Sequence, residues 1–522
     1  MPTPRLPPEA LAECLRVLET IASDRAELAY LDLELRTRLL TAAGRVSRPE
    51  RDDQRVLSRE VRRKGKREVR EADRAVLAQA GIRKKRLEPV FVTPPRPDRA
   101  LAGGGAFELG AGTAGIEEED RAGGAPELPP LNVPRSCYVC KQRCTRMHAF
   151  YDHMCDACGD FNYAKRSQTA DLRGRTALIS GARVKIGYQA AILLLRAGAR
   201  VIVTTRFPRD AALRYANERD FESFRERLTI YGLDLRHTPS VEAFAEMLER
   251  TEPRLDFMLH NACQTVRRPP GFYQHLMDGE LGPLARLPEA AASLVRDYET
   301  VRGNAGRELG DGTTRGVPAV GITASAALSQ VVLTAADREA GTELFPRGAL
   351  DADLQQIDRR ELNSWRLPLA EVGTTELLEV QLVNAIAPFI LNARLKALML
   401  RHRTFDKHIV NVSAMEGQFY RTYKTDKHPH TNMAKAALNM MTRTSAADYA
   451  RDGIFMNSVD TGWVTDEDPL AIARKKTEEH GFHPPLDIVD GAARIVDPIF
   501  DGINTGRHVW GQFLKDYKPT PW

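Results

Sequence analysis

The stretch DLRGRTALISGARVKIGYQAAILLLRAGARVIVTTR, residues 171–206, restricts the chain more than any other. The apolar run TALIS reads as a strand buried on both faces, GARVKIG as a tight turn, YQAAILLLRAG as a helix that stops at Gly198, and ARVIVTT as a second strand. A strand, a helix and a second strand in this order make a βαβ unit, and such units build a parallel sheet covered by helices on both sides. The spacing predicts an α/β, doubly wound domain. The first amides of the helix, at Lys185, Ile186 and Gly187, are placed to receive an anion such as a pyrophosphate.

Further landmarks follow in order. GLDL ends at Asp234 and Leu235; LDFMLHNAC carries Asn261 and Ala262; VQLVNAIAPFILN carries Asn384; HIVNVSAMEG carries Ser413; HTNMAKAALNM carries Lys435; MNSVDTGWVTDE carries Gly462 and Thr465. With Ser180, Gly181 and Gly187 in the first turn, this succession resembles the short-chain dehydrogenase/reductase family over about residues 170–515. That resemblance implies a Rossmann fold that binds a dinucleotide. It also implies that Asp234 and Leu235 line the adenine, that Asn384 supports a proton-relay water, and that Lys435 binds the nicotinamide ribose. The chain departs from the pattern at Lys185, Cys263 and Thr461, which stand where the family has two glycines and a proline.

Charge decides which dinucleotide is expected. An NAD site usually places a carboxylate after the second strand, whereas a 2′-phosphate needs arginine or lysine. Here that strand runs into Arg206 and Arg209, and the turn adds Arg183 and Lys185, so NADP(H) is favoured over NAD(H).

The catalytic half of the resemblance is incomplete. The family's active-site helix has tyrosine four residues before the lysine, on the same face; this chain has Thr431. Counting back from Gly417 puts Ala414, not Ser413, at the position of the family's serine, unless the loop is shifted by one residue. An aliphatic hydroxyl is a far weaker acid than a phenol. Candidate replacements are His428, in the register where the resembling enoyl reductases carry tyrosine, its neighbour His430, and Tyr420 and Tyr423. Two functions follow: a reductase using an unusual acid on a small-molecule carbonyl or activated double bond, or a noncatalytic NADP(H)-binding sensor or scaffold.

Five of seven cysteines fall between Cys137 and Cys158. Cys137, Cys140, Cys155 and Cys158 form two CxxC knuckles able to hold one structural zinc, four thiolates leaving no position for a reacting water. Cys144, His148 and His153 are alternative ligands. This predicts a zinc module over 136–165, preceded by a helical arm over 1–92 and a Pro/Gly/Ala-rich disordered linker over 93–135. About 268–372 is an insertion in the α/β domain, forming a lid, a partner surface or a structural extension. The arginine-rich arm lacks aromatics for base stacking, and a net charge of +5 is small for 522 residues, so nucleic acid is not an expected partner. No apolar run of membrane-spanning length or signal sequence is evident. The expectation is a cytoplasmic homo-oligomer with a possible protein partner on the arm or insertion.

Overall fold

The computed structural model describes residues 6–95, 127–310, 319–338, 341, 343–420 and 424–522. Most of the segment read as a linker, and Tyr423, lie outside the described residues. The chain divides into two compact units, Met1–Asp73 and Arg74–Trp522. In the first, helices Pro8–Ser23 and Leu33–Ser47 are joined by a 3₁₀ turn, Arg25–Tyr30. Asp32 caps Leu33–Ser47 by accepting from the Leu35 amide. The unit boundary falls inside helix Arg51–Leu77. Residues 74–92, read above with the arm, fold with the second unit because their apolar side chains are buried there: Leu77 and Ala80 beside Leu131 and Met147, and Ile82 beside Phe150 and Leu486.

After residues 74–92 the second unit continues with a hairpin, β1 (Arg135–Ser136) against β2 (Arg143–Cys144), and helix Asp156–Arg166. An eight-stranded sheet follows: β3 (Thr176–Ser180), β4 (Arg200–Thr205), β5 (Leu228–Gly232), β6 (Phe257–His260), β7 (Lys407–Ser413), β8 (Ile454–Asp460), β9 (Phe513–Lys515) and β10 (Lys518–Thr520). Their spatial order is β10-β9-β8-β7-β6-β3-β4-β5. All neighbours are parallel except the terminal β9–β10 pair. This is the doubly wound Rossmann arrangement. β3 is buried at all five positions, as a strand covered on both faces must be. Helix Lys185–Arg196 packs on Ile488–Thr505, and Thr238–Thr251 on Ala387–Leu400.

The order reverses between β3 and β6, whose following loops separate to leave a crevice at the strands' carboxyl ends. Around it the cysteine segment is locked to the sheet domain. Arg166, ending its helix, donates to Asp487 at 2.7 Å and to Asp490 at 2.9 Å, and the Tyr151 hydroxyl donates to Asp490. Asp487 and Asp490 are themselves the capping box of helix Ile488–Thr505, so one cluster fixes both elements.

One helical run, Thr374–Leu400, is long and apolar enough to cross a membrane by length and composition, contrary to the sequence expectation. Within it Asn384 bonds the Gln264 backbone, and Val380, Leu391 and Leu395 are buried in the fold.

Candidate active site

A cavity of about 1080 Å³ opens where β3, β4, β6, β7 and β8 end. At β3 the chain turns through Gly181 at φ +69°, and an added Cβ there would come within 2.6 Å of the Ala262 backbone. Lys185 takes φ +57° at the position the family fills with glycine. Helix Lys185–Arg196 then starts without a side-chain cap, leaving its first amides to a ligand, and Val184, Lys185 and Ile186 lie on the cavity wall. Gly187 and Ser180 act from behind the wall. A Cβ on Gly187 would sit 2.3 Å from Asn261 Nδ2, and Ser180 Oγ accepts from the Ala262 amide. Asn261 Nδ2 donates to Gly181 O at 2.9 Å, binding the ends of β3 and β6 together.

The four basic residues separate. Arg183 is buried and ion-paired with Asp210 at 2.6 Å; Arg209 faces Glu299 at 2.8 Å, away from the cavity. Arg209 is therefore not available to a ligand there. Arg206 and Lys185 both line the cavity and form no salt bridge among the described residues. Arg206 instead donates to Tyr273 OH at 2.7 Å and lies 4.6 Å over that ring. Asp234 and Leu235 line the same end. Burial alone would raise the Asp234 carboxyl, but hydrogen bonds and charge from Arg236 hold it below the ordinary range. A dinucleotide fits this end: a Gly-lined turn, uncapped helix amides, and two cations that form no salt bridge among the described residues, with Asp234 and Asp353 within reach of their charge.

At the other end, Ser413, Ala414, Thr431 and Lys435 share the wall. Lys435 Nζ donates to Val412 O at 2.8 Å. The hydroxyls of Ser413 and Thr431 are buried and have no hydrogen-bond partner. Asn384 sits in a π-turn, Leu382–Ile386, a geometry that recurs at functional sites. Its side chain is spent on the Gln264 backbone, accepting from N at 2.8 Å and donating to O, and it does not reach the wall. Gly462 and Thr465 line the cavity, Thr465 donating to Glu467.

The candidate acids lie off the wall. His428, at φ +43°, stacks on Trp365 with 3.8 Å between centroids, and burial lowers its imidazole to about 4. His430 is buried with Nε2 3.7 Å from Glu376 Oε1. Tyr420 is exposed. Wall residues that the motifs did not indicate come from elsewhere: Tyr138 and Lys141 from the cysteine segment, Tyr273, Asp358, Arg360 and Trp365 from the insertion, and Asp460 and Lys515 from the last parallel strands. Position gave the only possible signal, since Tyr138 lies inside a CxxC knuckle and the insertion leaves a strand end.

Ligand atoms of Cys137, Cys140, Cys155 and Cys158 lie within 4.8 Å of one another, a donor set that fits one tetrahedral zinc. Burial opposes ionisation of Cys137, but hydrogen bonds from the 155, 140 and 139 amides bring its thiol down to about 7. Two of the alternatives are engaged elsewhere, Cys144 with Arg135 O and His148 with the Phe150 amide and Asp160, while the buried Nε2 of His153 lies 3.5 Å from Asp152 with no hydrogen-bond partner among the described residues.

Comparison with known proteins adds four findings. The family model described as enoyl-(acyl carrier protein) reductase matches residues 362–482. An uncharacterised protein of Acanthamoeba polyphaga mimivirus is 30% identical over 382 residues, 70% of this chain and 71% of the viral one. Dehydrogenase/reductase SDR family member 13 of Bos taurus is 38% identical over 137 residues, covering 24% of this chain and 36% of the bovine protein. Among solved structures, carbonyl reductase Sniffer of D. melanogaster is 15% identical, with 67% of this chain and 99% of that chain covered at a TM-score of 0.39.

Proposed function

From a chain that belongs to the short-chain dehydrogenase/reductase family, we propose an NADP(H)-dependent oxidoreductase that moves hydride between the cofactor and a carbonyl or activated double bond. The observation that carries the reading is the convergence on one cavity of the Gly181 turn, the uncapped helix start, the cations Arg206 and Lys185, and Lys435. Bound NADPH would supply the hydride. Lys185, Ile186 and their amides would hold the pyrophosphate, Arg206 the 2′-phosphate and Lys435 the nicotinamide ribose.

Reduction also requires a proton, delivered to the oxygen of a carbonyl or to the α-carbon of an activated double bond. Thr431 and Ser413 can pass a proton through a buried hydroxyl but are too weakly acidic to be its source. His430, buried with Nε2 3.7 Å from Glu376 and preceding Thr431 in the chain, is the candidate source that the experiment below tests. A second reading is favoured by the same wall. With Ala414 and Thr431 in place of the family's serine and tyrosine, the protein would bind NADP(H) without turnover and use it to set its conformation for a partner. In either reading the four cysteines hold a structural zinc.

The test is NADPH consumption by the purified protein with a panel of aldehydes, ketones and enoyl thioesters, run beside direct NADPH binding. Turnover lost in His430→Gln with binding retained supports the enzyme. Tight binding without turnover on any substrate supports the sensor, and absence of binding removes both.

A further inference from the structure

Two wall residues of the cavity, Tyr138 and Lys141, belong to the knuckle that carries Cys137 and Cys140. The knuckle is a tight turn. Lys141 N donates to Cys137 O at 3.1 Å with Lys141 at φ +63°, and Cys137 N donates to Gln142 O. Tyr138 N donates to His153 O, two residues before Cys155, so both knuckles fix the tyrosine backbone.

From there the ring reaches the loops that close the cavity. Tyr138 OH accepts from the Trp463 amide at 3.0 Å, and a Cβ on Gly462 would stand 3.1 Å from that oxygen. Lys515 Nζ lies 5.6 Å from the Tyr138 ring centroid and donates to Asp460 Oδ2 at 2.9 Å. Asp460 Oδ1 in turn accepts from the amide of Met415. One side chain thus meets the turn after β8 directly, and through Lys515 and Asp460 it reaches the loop that follows Ser413 at the end of β7 and contains Ala414 and Met415. These are the two loops of the end away from Arg206.

We propose that the four-cysteine module is a working wall of the cavity: Tyr138 is a positioning residue for the Gly462 turn, and metal at the four sulfurs governs how the cavity receives the nicotinamide half of the cofactor. This rests on the NADP(H) reading above. An appended module that only stabilised the fold would affect ligands at both ends alike. A module that positions one end affects only ligands that reach it.

The experiment uses the full chain and two probes, NADP⁺ and adenosine 2′,5′-bisphosphate, which carries the 2′-phosphate but no nicotinamide. Affinities are measured by calorimetry for the zinc-loaded protein, the same protein stripped with a chelator, Tyr138→Phe and Tyr138→Ala. Stripping and Tyr138→Ala should weaken NADP⁺ by about 10-fold or more. Tyr138→Phe, which keeps the ring and loses one acceptor, should weaken it by about 3- to 5-fold, the usual value of one hydrogen bond. Adenosine 2′,5′-bisphosphate should hold within about twofold throughout, and Tyr138→Phe should retain its zinc. Equal losses for both probes, or unchanged NADP⁺ affinity in Tyr138→Phe and Tyr138→Ala, would overturn the proposal, and the Tyr138→Phe arm decides the matter if the stripped protein unfolds. Failure of both probes to bind the zinc-loaded protein would instead overturn the cofactor reading, and this inference with it.

Discussion

The two ends of the cavity differ in what their polar groups lack. Toward β4, Arg206 and Lys185 form no salt bridge among the described residues, although Asp234 feels the charge of Arg206 and Asp353 that of Lys185, and they stand next to helix amides without a cap. Toward β7, Ser413 and Thr431 present hydroxyls without hydrogen-bond partners beside a lysine already bonded to Val412 O. Unpaired charge in a partly desolvated site is costly unless a ligand of opposite charge completes it. The first end thus offers cations and amides to an anion, while the free hydroxyls of the second are weak acids.

The largest expected effect tests whether the cysteine module is a metal site at all. Purified protein should carry about one zinc per chain, and Cys137→Ser or Cys155→Ser should release it; elemental analysis showing no zinc in protein purified without chelator would remove the claim. Next, Gly187→Val should abolish dinucleotide binding. Even a single Cβ would lie 2.5 Å from Gly181 O, and the turn has no room to move without losing its shape. Calorimetry with NADPH reads this, and undiminished affinity would mean the cofactor does not use the turn. Third, Lys435→Ala should weaken NADPH by about 10-fold or more, a charge-assisted hydrogen bond being worth roughly 1.5–3 kcal/mol, without changing the affinity for adenosine 2′,5′-bisphosphate. A loss shared by both ligands would place Lys435 in the fold rather than at the nicotinamide end.

The smallest effect concerns the insertion. Glu280, at the end of helix Pro270–Leu281, accepts from the amides of Arg209 and Asp210 and so caps helix Pro208–Ala216 from outside. Burial pushes its carboxyl up to about 7, the two amides opposing that rise. A carboxyl raised above its unfolded value favours folding while protonated. Its contribution is therefore full at low pH and is lost as pH rises through about 7. Glu280→Gln should remove this slope, so that the stability difference from wild type shifts in the variant's favour between about pH 4.5 and 7, by at most about 3 kcal/mol. Parallel denaturation curves at all pH values would show that the carboxyl titrates normally.

Most of the sheet domain was legible because its signals are local. TALIS, the Gly181 turn and the apolar helix each state their own conformation, and the parallel order follows from their alternation. Lys185 was legible as a departure from the family pattern, and its left-handed backbone shows how the turn keeps its path without glycine. What stayed hidden depends on contacts far apart in sequence. Nothing near Arg209 reveals that Glu299 turns it away from the cavity, and nothing near Arg183 reveals that Asp210 neutralises it. The histidines beside HTNMAKAALNM were chosen by register. Trp365, from the insertion, stacks on His428, and Glu376, from the helix after it, lies 3.7 Å from buried His430. Tyr138 escaped notice because a residue between two zinc-type cysteines reads as part of the metal turn, whereas its partners Trp463 and Lys515 lie more than three hundred residues later.

The most direct test of the account is the affinity of the zinc-loaded chain for NADPH and NADH, measured side by side in wild type and Arg206→Ala. The account predicts NADPH tighter by about 10-fold or more, since one charge-assisted hydrogen bond to the 2′-phosphate contributes roughly 1.5–3 kcal/mol, and it predicts that the gap narrows in the variant. Equal affinities that the substitution leaves unchanged would contradict it.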